Sequence, residues 1–551
     1  MNDIRDYFPK WTKKVITEGG GRDPLGLSRV AFILTDYLLN GIITTTERAR
    51  YYSFYTWALW HIGQEEKPTN YDDFVNAFRR REAVMALSTY AANPAMSPVG
   101  VEVVRSQLDR GKQTGEYDCN FKVLPSNNMG GYGQYYGGSI YALKLTDRDD
   151  KGIDHASRGF GEDLAVMFDQ TIRETEYIRM SGFLKDSIAE NEMEELQACF
   201  TLDAINTDLA KNERAKLIEI FFGLDENLKD EKSTLRCQTL TILLHLIDEY
   251  GKHDSLPDMQ GREVLDEYLL YAIYYEVLWL SDDDTPTFEK LKGHDVCYEL
   301  WKQFCLHQFV TQALEYLLFA VIETVGHTVT GLSLDDTVAG LIEPTFLTTL
   351  KSLTGKDCRR PCDLLSAIDV VEAPTARSSA FAQETYKPGH SLSEAQLLIS
   401  AGKSPQEATA TAVVMLAVLF AKWRGKSEDT AMSYVSDRAG HQVWAGPVLR
   451  YLDTWLDPGI TWTYALNELI ENLVLNQHDR IMYEKRRLDS SWLHRAGGKI
   501  IKDQDYGPTW RASRFSNAVN IMADLSLVSI NESREVAITR EGTELVANLS
   551  S

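Results

Sequence analysis

Apolar side chains recur along this chain with a helical period, and that recurrence limits the fold more than any other feature. In "SRVAFILTDYLLNG", Val30, Ile33, Leu34, Tyr37 and Leu38 fall at helical spacing between a Ser cap and an Asn40-Gly41 stop. A second helix is expected from Thr44 to Gly63, opened by a Thr44/Glu47 capping box, and "YDDFVNAFRRREAVMALSTYAA" gives a third. Past residue 160 come many more, among them "CQTLTILLHLIDEYG", "REVLDEYLLYAIYYEVLWL" and "CYELWKQFCLHQFVTQALEYLLFAVIETVG". Ser404-Pro405 with Glu407 combines an N-cap, a proline in the first turn and a capping box. Strands and helices do not alternate, which argues against a doubly wound sheet. No segment repeats with a period of roughly 20–50 residues, which argues against a solenoid. The expectation is a mainly α, multi-domain protein.

Two regions interrupt the helical rhythm. "FKVLPSNNMGGYGQYYGGSIYALKL" reads as a short extended run, a Gly-rich loop and an alternating strand, a small β insertion. Residues 355–392 read as a loop-rich connector. The resulting division is a helical region 1–112, a Gly/Tyr-rich insertion 113–160, an acidic helical body 161–354, the connector 355–392, a helical region 393–475 and a C-terminal domain 476–551.

Charge is unevenly spread. The net charge is -23, yet residues 1–112 carry 15 Lys/Arg against 13 Asp/Glu and residues 476–551 carry 11 against 10, which leaves -26 on the middle. A polyanion is repelled by that middle and is accepted only at the ends. The opening "MNDIRDYFPKWTKK" has no apolar signal core. The most apolar run, Ala408 to Trp423, is shorter than the roughly 20 residues of a membrane span and is expected to be a core helix. Seven scattered cysteines, an odd number, suit free thiols in the cytoplasm. No membrane partner is expected.

The stretch "TTTERARYYSFYTW" concentrates rings and arginines. On a helix, Arg48, Tyr51, Tyr52, Tyr55 and Leu59 share one face, and Phe54, Trp57 and His61 lie on another. A helix aromatic on both sides is expected to be buried. Arg48 in the first turn opposes the helix dipole, so an internal carboxylate or a bound anion must compensate it. Arg48 and Arg50 are therefore either core ion pairs or a contact surface. In "MGGYGQYYGG", glycines flank Tyr132, Tyr135 and Tyr136. The spacing is not the dinucleotide fingerprint, so the choice lies between a packed aromatic turn and a loop that stacks rings on a ligand, base or partner.

No catalytic motif assembles. "GKS" occurs at Gly402–Ser404 and Gly425–Ser427, but Leu397 and Phe420 stand where the leading glycine of a phosphate loop belongs. "LSDDDTPT" follows a tyrosine-rich helical run and reads as an acidic loop. Cys358 and Cys362 lack a second ligand pair for zinc, and neither an HExxH nor a G-x-S-x-G occurs. Neither a cofactor, a metal nor a catalytic residue is assigned.

The end of the chain has its own pattern. Residues 478–514 hold nine Lys/Arg against five acids. A helix from about Ser513 to Leu525, strands Leu527–Ile530 and Glu535–Ile538 around a polar turn, and a helix in "TREGTELVANL" follow in order. "DLSLVSI…VAITREGTEL" resembles the latter half of a winged-helix domain over about 60 of the 551 residues. That resemblance implies a helix with Arg514, Asn517 and Asn520 on its polar side, and with Arg511 and the basic run Lys485-Arg486-Arg487 it offers phosphate and base-edge contacts to DNA. Winged helices also dock proteins. With its aromatic N-terminal helix, the chain resembles helix-rich subunits of bacterial defence operons. The functional expectation is a non-catalytic, nucleic-acid-engaging subunit of a multi-protein assembly. Two alternatives stand beside it: a protein-interaction subunit similar to kleisin-type partners of SMC ATPases, and a metal-dependent nuclease with dispersed carboxylates.

Overall fold

Helices dominate the described residues, and the β structure among them consists of short pairs and isolated bridges. The computed structural model describes residues 23–150, 152–253, 262–278, 287–368, 394–399, 401–424, 434, 445–484, 491–532 and 535–550. Among these residues the strands form four antiparallel pairs: Glu116–Asp118 with Ser187–Ala189, Thr146–Arg148 with Asp154–Ala156, Leu493–Ala496 with Lys499–Lys502, and Val528–Ile530 with Val536–Ile538. The contacts group the chain into two units. The first holds Leu34–Lys302 and Ala512–Ser551, and the second holds the described residues of Met1–Ile33, Gln303–Thr375 and Ser379–Arg511.

In the first unit the Arg50–Glu65 helix lies at the centre of an aromatic core. Tyr52, Phe54, Tyr55 and Trp57 are all fully buried. Phe54 and Trp57 meet Phe168 and Phe200, while Tyr55 stacks on Tyr51 and on Phe78 from the Tyr71–Ala92 helix. Rings on every side of a helix leave it no solvent face, and burial follows. The expected Thr44/Glu47 box does not form. The helix starts at Arg50, and Ala49 at its N-cap makes no side-chain cap. Groups distant in sequence take over that role. The Tyr136 hydroxyl accepts the Glu47 and Arg48 N–H groups, and the Asp524 carboxylate accepts the Ala49 N–H at 2.8 Å.

The Gly-rich segment differs from its expectation as loop and strand. Tyr132–Tyr136 is a π-helix that runs directly into the α-helix Gly137–Ala142. Tertiary contact overrides the poor helix propensity of its glycines. The carboxylate of Glu82 accepts the Gly131 N–H at 2.8 Å at the start of the segment, and the Tyr132 and Tyr136 rings are buried. A Cβ at Gly131 would stand 2.5 Å from the Tyr55 hydroxyl oxygen, so close packing demands glycine there. The short Thr146–Arg148 strand only begins after this helix.

Around the Pro405–Trp423 helix of the second unit, burial is nearly complete from Ala408 to Phe420, as a core helix requires. Its N-terminus has the expected box: Ser404 accepts the Glu407 N–H, Glu407 accepts the Ser404 N–H, and Pro405 occupies the first turn. Among the described residues one helix, Asp295–Gly326, is long and apolar enough to cross a membrane, and most of its apolar window is buried in the protein. Gly497 and Gly498, both at positive φ, close the Leu493–Lys502 hairpin in the manner of a two-residue turn.

The chain's end follows the expected element order: helix Phe515–Asp524, the Val528–Ile530/Val536–Ile538 hairpin and helix Arg540–Leu549. Residues 512–550 of this stretch group with the first unit, and residues 476–511 with the second. Local bonds account for the division. Gln312 and Gln308 donate to the Thr509 and Arg511 carbonyls, whereas the Ser513 hydroxyl and the Ser516 N–H donate to Asp266.

Candidate ligand-binding cleft

The arginines singled out by sequence are largely internal. Arg50 is fully buried, and its guanidinium meets both Glu213 oxygens at 3.3 Å, the Thr201 carbonyl and the Thr171 hydroxyl, with Phe168 beneath it. Arg48 binds Asp524 through Nε at 2.9 Å and Nη2 at 2.8 Å. An internal carboxylate, one of the two ways of compensating Arg48, is therefore in place. Arg514 and Asn517 do not sit on an exposed polar face: both are buried, donating to the Ile42 and Thr44 carbonyls. Burial pushes the Arg514 guanidinium down to about 10, with the charge of Asp36 opposing the shift. Arg511 donates to the Ser28 hydroxyl and reaches Glu315. Lys485, Arg486 and Arg487 lie outside the described residues. Buried arginine here is a stitch between elements, as Arg236 also illustrates by donating to the carbonyls of Ile220 and Phe221 at the end of the Lys211–Phe221 helix.

The glycine-tyrosine segment behaves differently. Tyr136 faces the core, Tyr135 is half-buried, and Tyr132 forms part of the wall of an open cleft of about 590 Å³. One side of that cleft comes from the first turn of the Tyr71–Ala92 helix, with Tyr71 and Phe74. Asn70 caps this helix, accepting the Asp73 N–H at 2.9 Å, and so fixes where Tyr71 stands. A second side is the helical segment that carries Gly133, Gly137, Gly138 and Tyr141. The third is the Thr146–Arg148/Asp154–Ala156 pair. Tyr71 is 46% exposed and Tyr141 65% exposed, while Phe74 and Tyr132 are buried behind them.

Electrostatics at the cleft are balanced. Arg148 and Asp154, opposite each other in the strand register, form a two-point pair through Nε at 2.6 Å and Nη2 at 3.0 Å. The Tyr132 hydroxyl donates to the same carboxylate at 3.0 Å. Burial raises the Tyr132 phenol well beyond its ordinary range, and the Asp154 charge adds to the shift, so it remains a neutral donor. Behind the cleft, burial lifts the Glu82 carboxyl to about 7, while the Tyr55 hydroxyl and the Gly131 and Tyr132 N–H groups act in the opposite direction. Among the described residues no group of three or more His, Cys, Asp or Glu side chains is placed to hold a metal ion. The cleft's atoms are fit for stacking and hydrogen bonding.

Of the three tyrosines singled out in the sequence only Tyr132 lines the cleft, and Tyr71, Tyr141, Arg148 and Asp154 were missed. A signal for the pair existed: in "TDRDDKGIDHA" two short runs flank a Gly turn, a hairpin spacing that puts Arg148 across from Asp154. Compared with known protein families, curated proteins and solved structures, the chain finds no match.

Proposed function

We propose that this chain is a non-catalytic subunit of a multi-protein bacterial assembly, of the antiviral-defence kind, that engages nucleic acid, and that the contact is the cleft of the first unit. The single observation that carries this reading is the pair of exposed rings, Tyr71 and Tyr141, lining an open cavity beside Arg148. Among the described residues of this unit, Tyr71 and Tyr141 are the exposed aromatic side chains, so two exposed rings at one cavity are a specific feature. Base-to-ring stacking is the contact such a surface makes with nucleic acid. The C-terminal helix is a poorer candidate, because its Arg514 and Asn517 side chains are committed to internal carbonyls.

Fluorescence anisotropy with labelled single-stranded and duplex oligonucleotides at low salt tests the reading. Binding of either form to the full chain, weakened at least tenfold by Tyr71→Ala combined with Tyr141→Ala, supports it. Absence of any binding gives precedence to the partner-protein reading. A specific observation favours that alternative: Met180, Leu184 and Leu209 of the same unit are all more than half exposed.

A further inference from the structure

We infer that the cleft is a site for one unpaired nucleobase, recognised by its ring face and its edge and not by the phosphate attached to it. This inference rests on the nucleic-acid reading above and adds the part of the ligand that is bound.

Charge decides first. The charged side chains of the lining are Arg148 and Asp154, and each neutralises the other through the two-point pair. A cleft without net charge, on a chain of net charge -23, offers a phosphate no attraction. What it accepts is the uncharged portion of a nucleotide. The rings supply that affinity: stacking on an aromatic side chain contributes roughly 1–3 kcal/mol per base and works with any base, since each has a π face.

Shape agrees. Gly133, Gly137 and Gly138 line one wall of the cleft and carry no side chain into it. A Cβ built at Gly138, a lining residue, meets nothing within 4 Å and has open space before it, whereas at Gly133 and Gly137 it would press on Asn127, Met129 and Tyr132. A flat ring can lie against such a bare backbone wall. The volume of about 590 Å³ accommodates a base with its sugar. At the edge, Nε and Nη2 of Arg148 are held flat by Asp154, and Nη1 donates to neither oxygen of that carboxylate. A guanidinium fixed in this way presents a donor to a base carbonyl or ring nitrogen. The Asn127 amide, whose Oδ1 accepts the Met129 N–H, stands on the same lining with its orientation set. Within a duplex the faces of a base are covered by its neighbours, so the site selects single strands.

The test uses the full chain, a labelled single strand, its duplex and free adenosine as competitor. The expected result is single-strand binding at least tenfold tighter than duplex binding, displaced by adenosine. Affinity should change less than about threefold between about 50 and 200 mM salt, where six to ten phosphate contacts would cost about 10³–10⁵. Gly138→Leu should retain the wild-type melting temperature and lose at least tenfold in affinity, and Tyr141→Ala, at an exposed position, should show the same loss. Steep salt dependence with both variants binding like wild type would overturn the base site and move the contact away from the cleft, leaving standing only that the chain engages nucleic acid. Absence of oligonucleotide binding at about 50 mM salt would overturn both.

Discussion

Asp524 accepts both Nε and Nη2 of Arg48, from a helix 476 residues later in the chain, and takes the Ala49 N–H with the same carboxylate. One side chain thus neutralises a cation at the start of the Arg50–Glu65 helix and caps its N-terminus. Burial pushes the Asp524 carboxyl above its ordinary range, and the Arg48 charge and Ala49 N–H pull it only part of the way back.

Removing the cation leaves a buried carboxylate without its partner. Arg48→Ala should destabilise the protein by about 3 kcal/mol, the lower end of the range for breaking a buried pair on one side, since Arg48 retains some exposure. Arg48→Lys should lose less, keeping the charge but not the two-point geometry. Thermal or chemical denaturation measures both. A melting temperature unchanged in Arg48→Ala would mean that the ion pair does not hold the helix start.

The Arg50–Glu213 pair makes a sharper version of the same test, because both side chains are fully buried. Arg50→Met alone and Glu213→Leu alone should each cost about 3–5 kcal/mol, by stranding the other charge. The double variant should cost clearly less than their sum. Additive losses would show that the two side chains act independently.

Much of this architecture could be read from the chain. The Ser28–Leu38 and Tyr71–Ala92 helices, the Ser404 box and the C-terminal helix, hairpin and helix are all set by local signals: caps, periodicity and turn residues. The failures have a common physical origin. The Thr44/Glu47 box lost to Asp524 and Tyr136, which lie far away in sequence, and the glycine segment became helical because Glu82 and the Tyr55 ring fix it from outside. Arg514 and Asn517 looked like a solvent face, since neither the Ile42 nor the Thr44 carbonyl can be located from residue spacing. The cleft joins three segments from residues 71 to 154, and of its lining only Tyr132 stood out in the sequence.

Stability should depend on pH through Glu82. In the folded protein burial holds its carboxyl at about 7, whereas the unfolded chain releases the proton near the ordinary glutamate value of about 4.3. The folded state binds more protons between those values, so its stability is fullest below the lower one and is lost as pH rises through about 7. Burial lifts Glu315 to about 7 in the second unit, with the same sign. Denaturation at pH 5 and pH 8 measures the stability difference, to which Glu82 should contribute a loss at pH 8 on the order of 3 kcal/mol or less. His61 and His307, whose imidazoles burial lowers, act with the opposite sign. Glu82→Gln should remove the Glu82 loss. An equal difference in Glu82→Gln would remove Glu82 as a contributor.

All seven cysteines are free thiols, five of them buried. Titration of the denatured, unreduced protein should recover about seven thiols. In the native protein Cys362 should react first, because it is only half-buried and burial raises the other half-buried thiol, Cys237. Recovery of two or fewer thiols after denaturation would contradict the assignment.

Hydrogen exchange of the full chain, with and without a saturating single-stranded oligonucleotide, separates the cleft from the C-terminal helix as the contact. Added protection is expected in the peptides that cover residues 71–78 and 127–156, with the peptides covering 513–549 unchanged. Protection confined to 476–549, with no change around Tyr71, Tyr132 and Tyr141, would contradict the cleft reading and return the contact to the C-terminal helix.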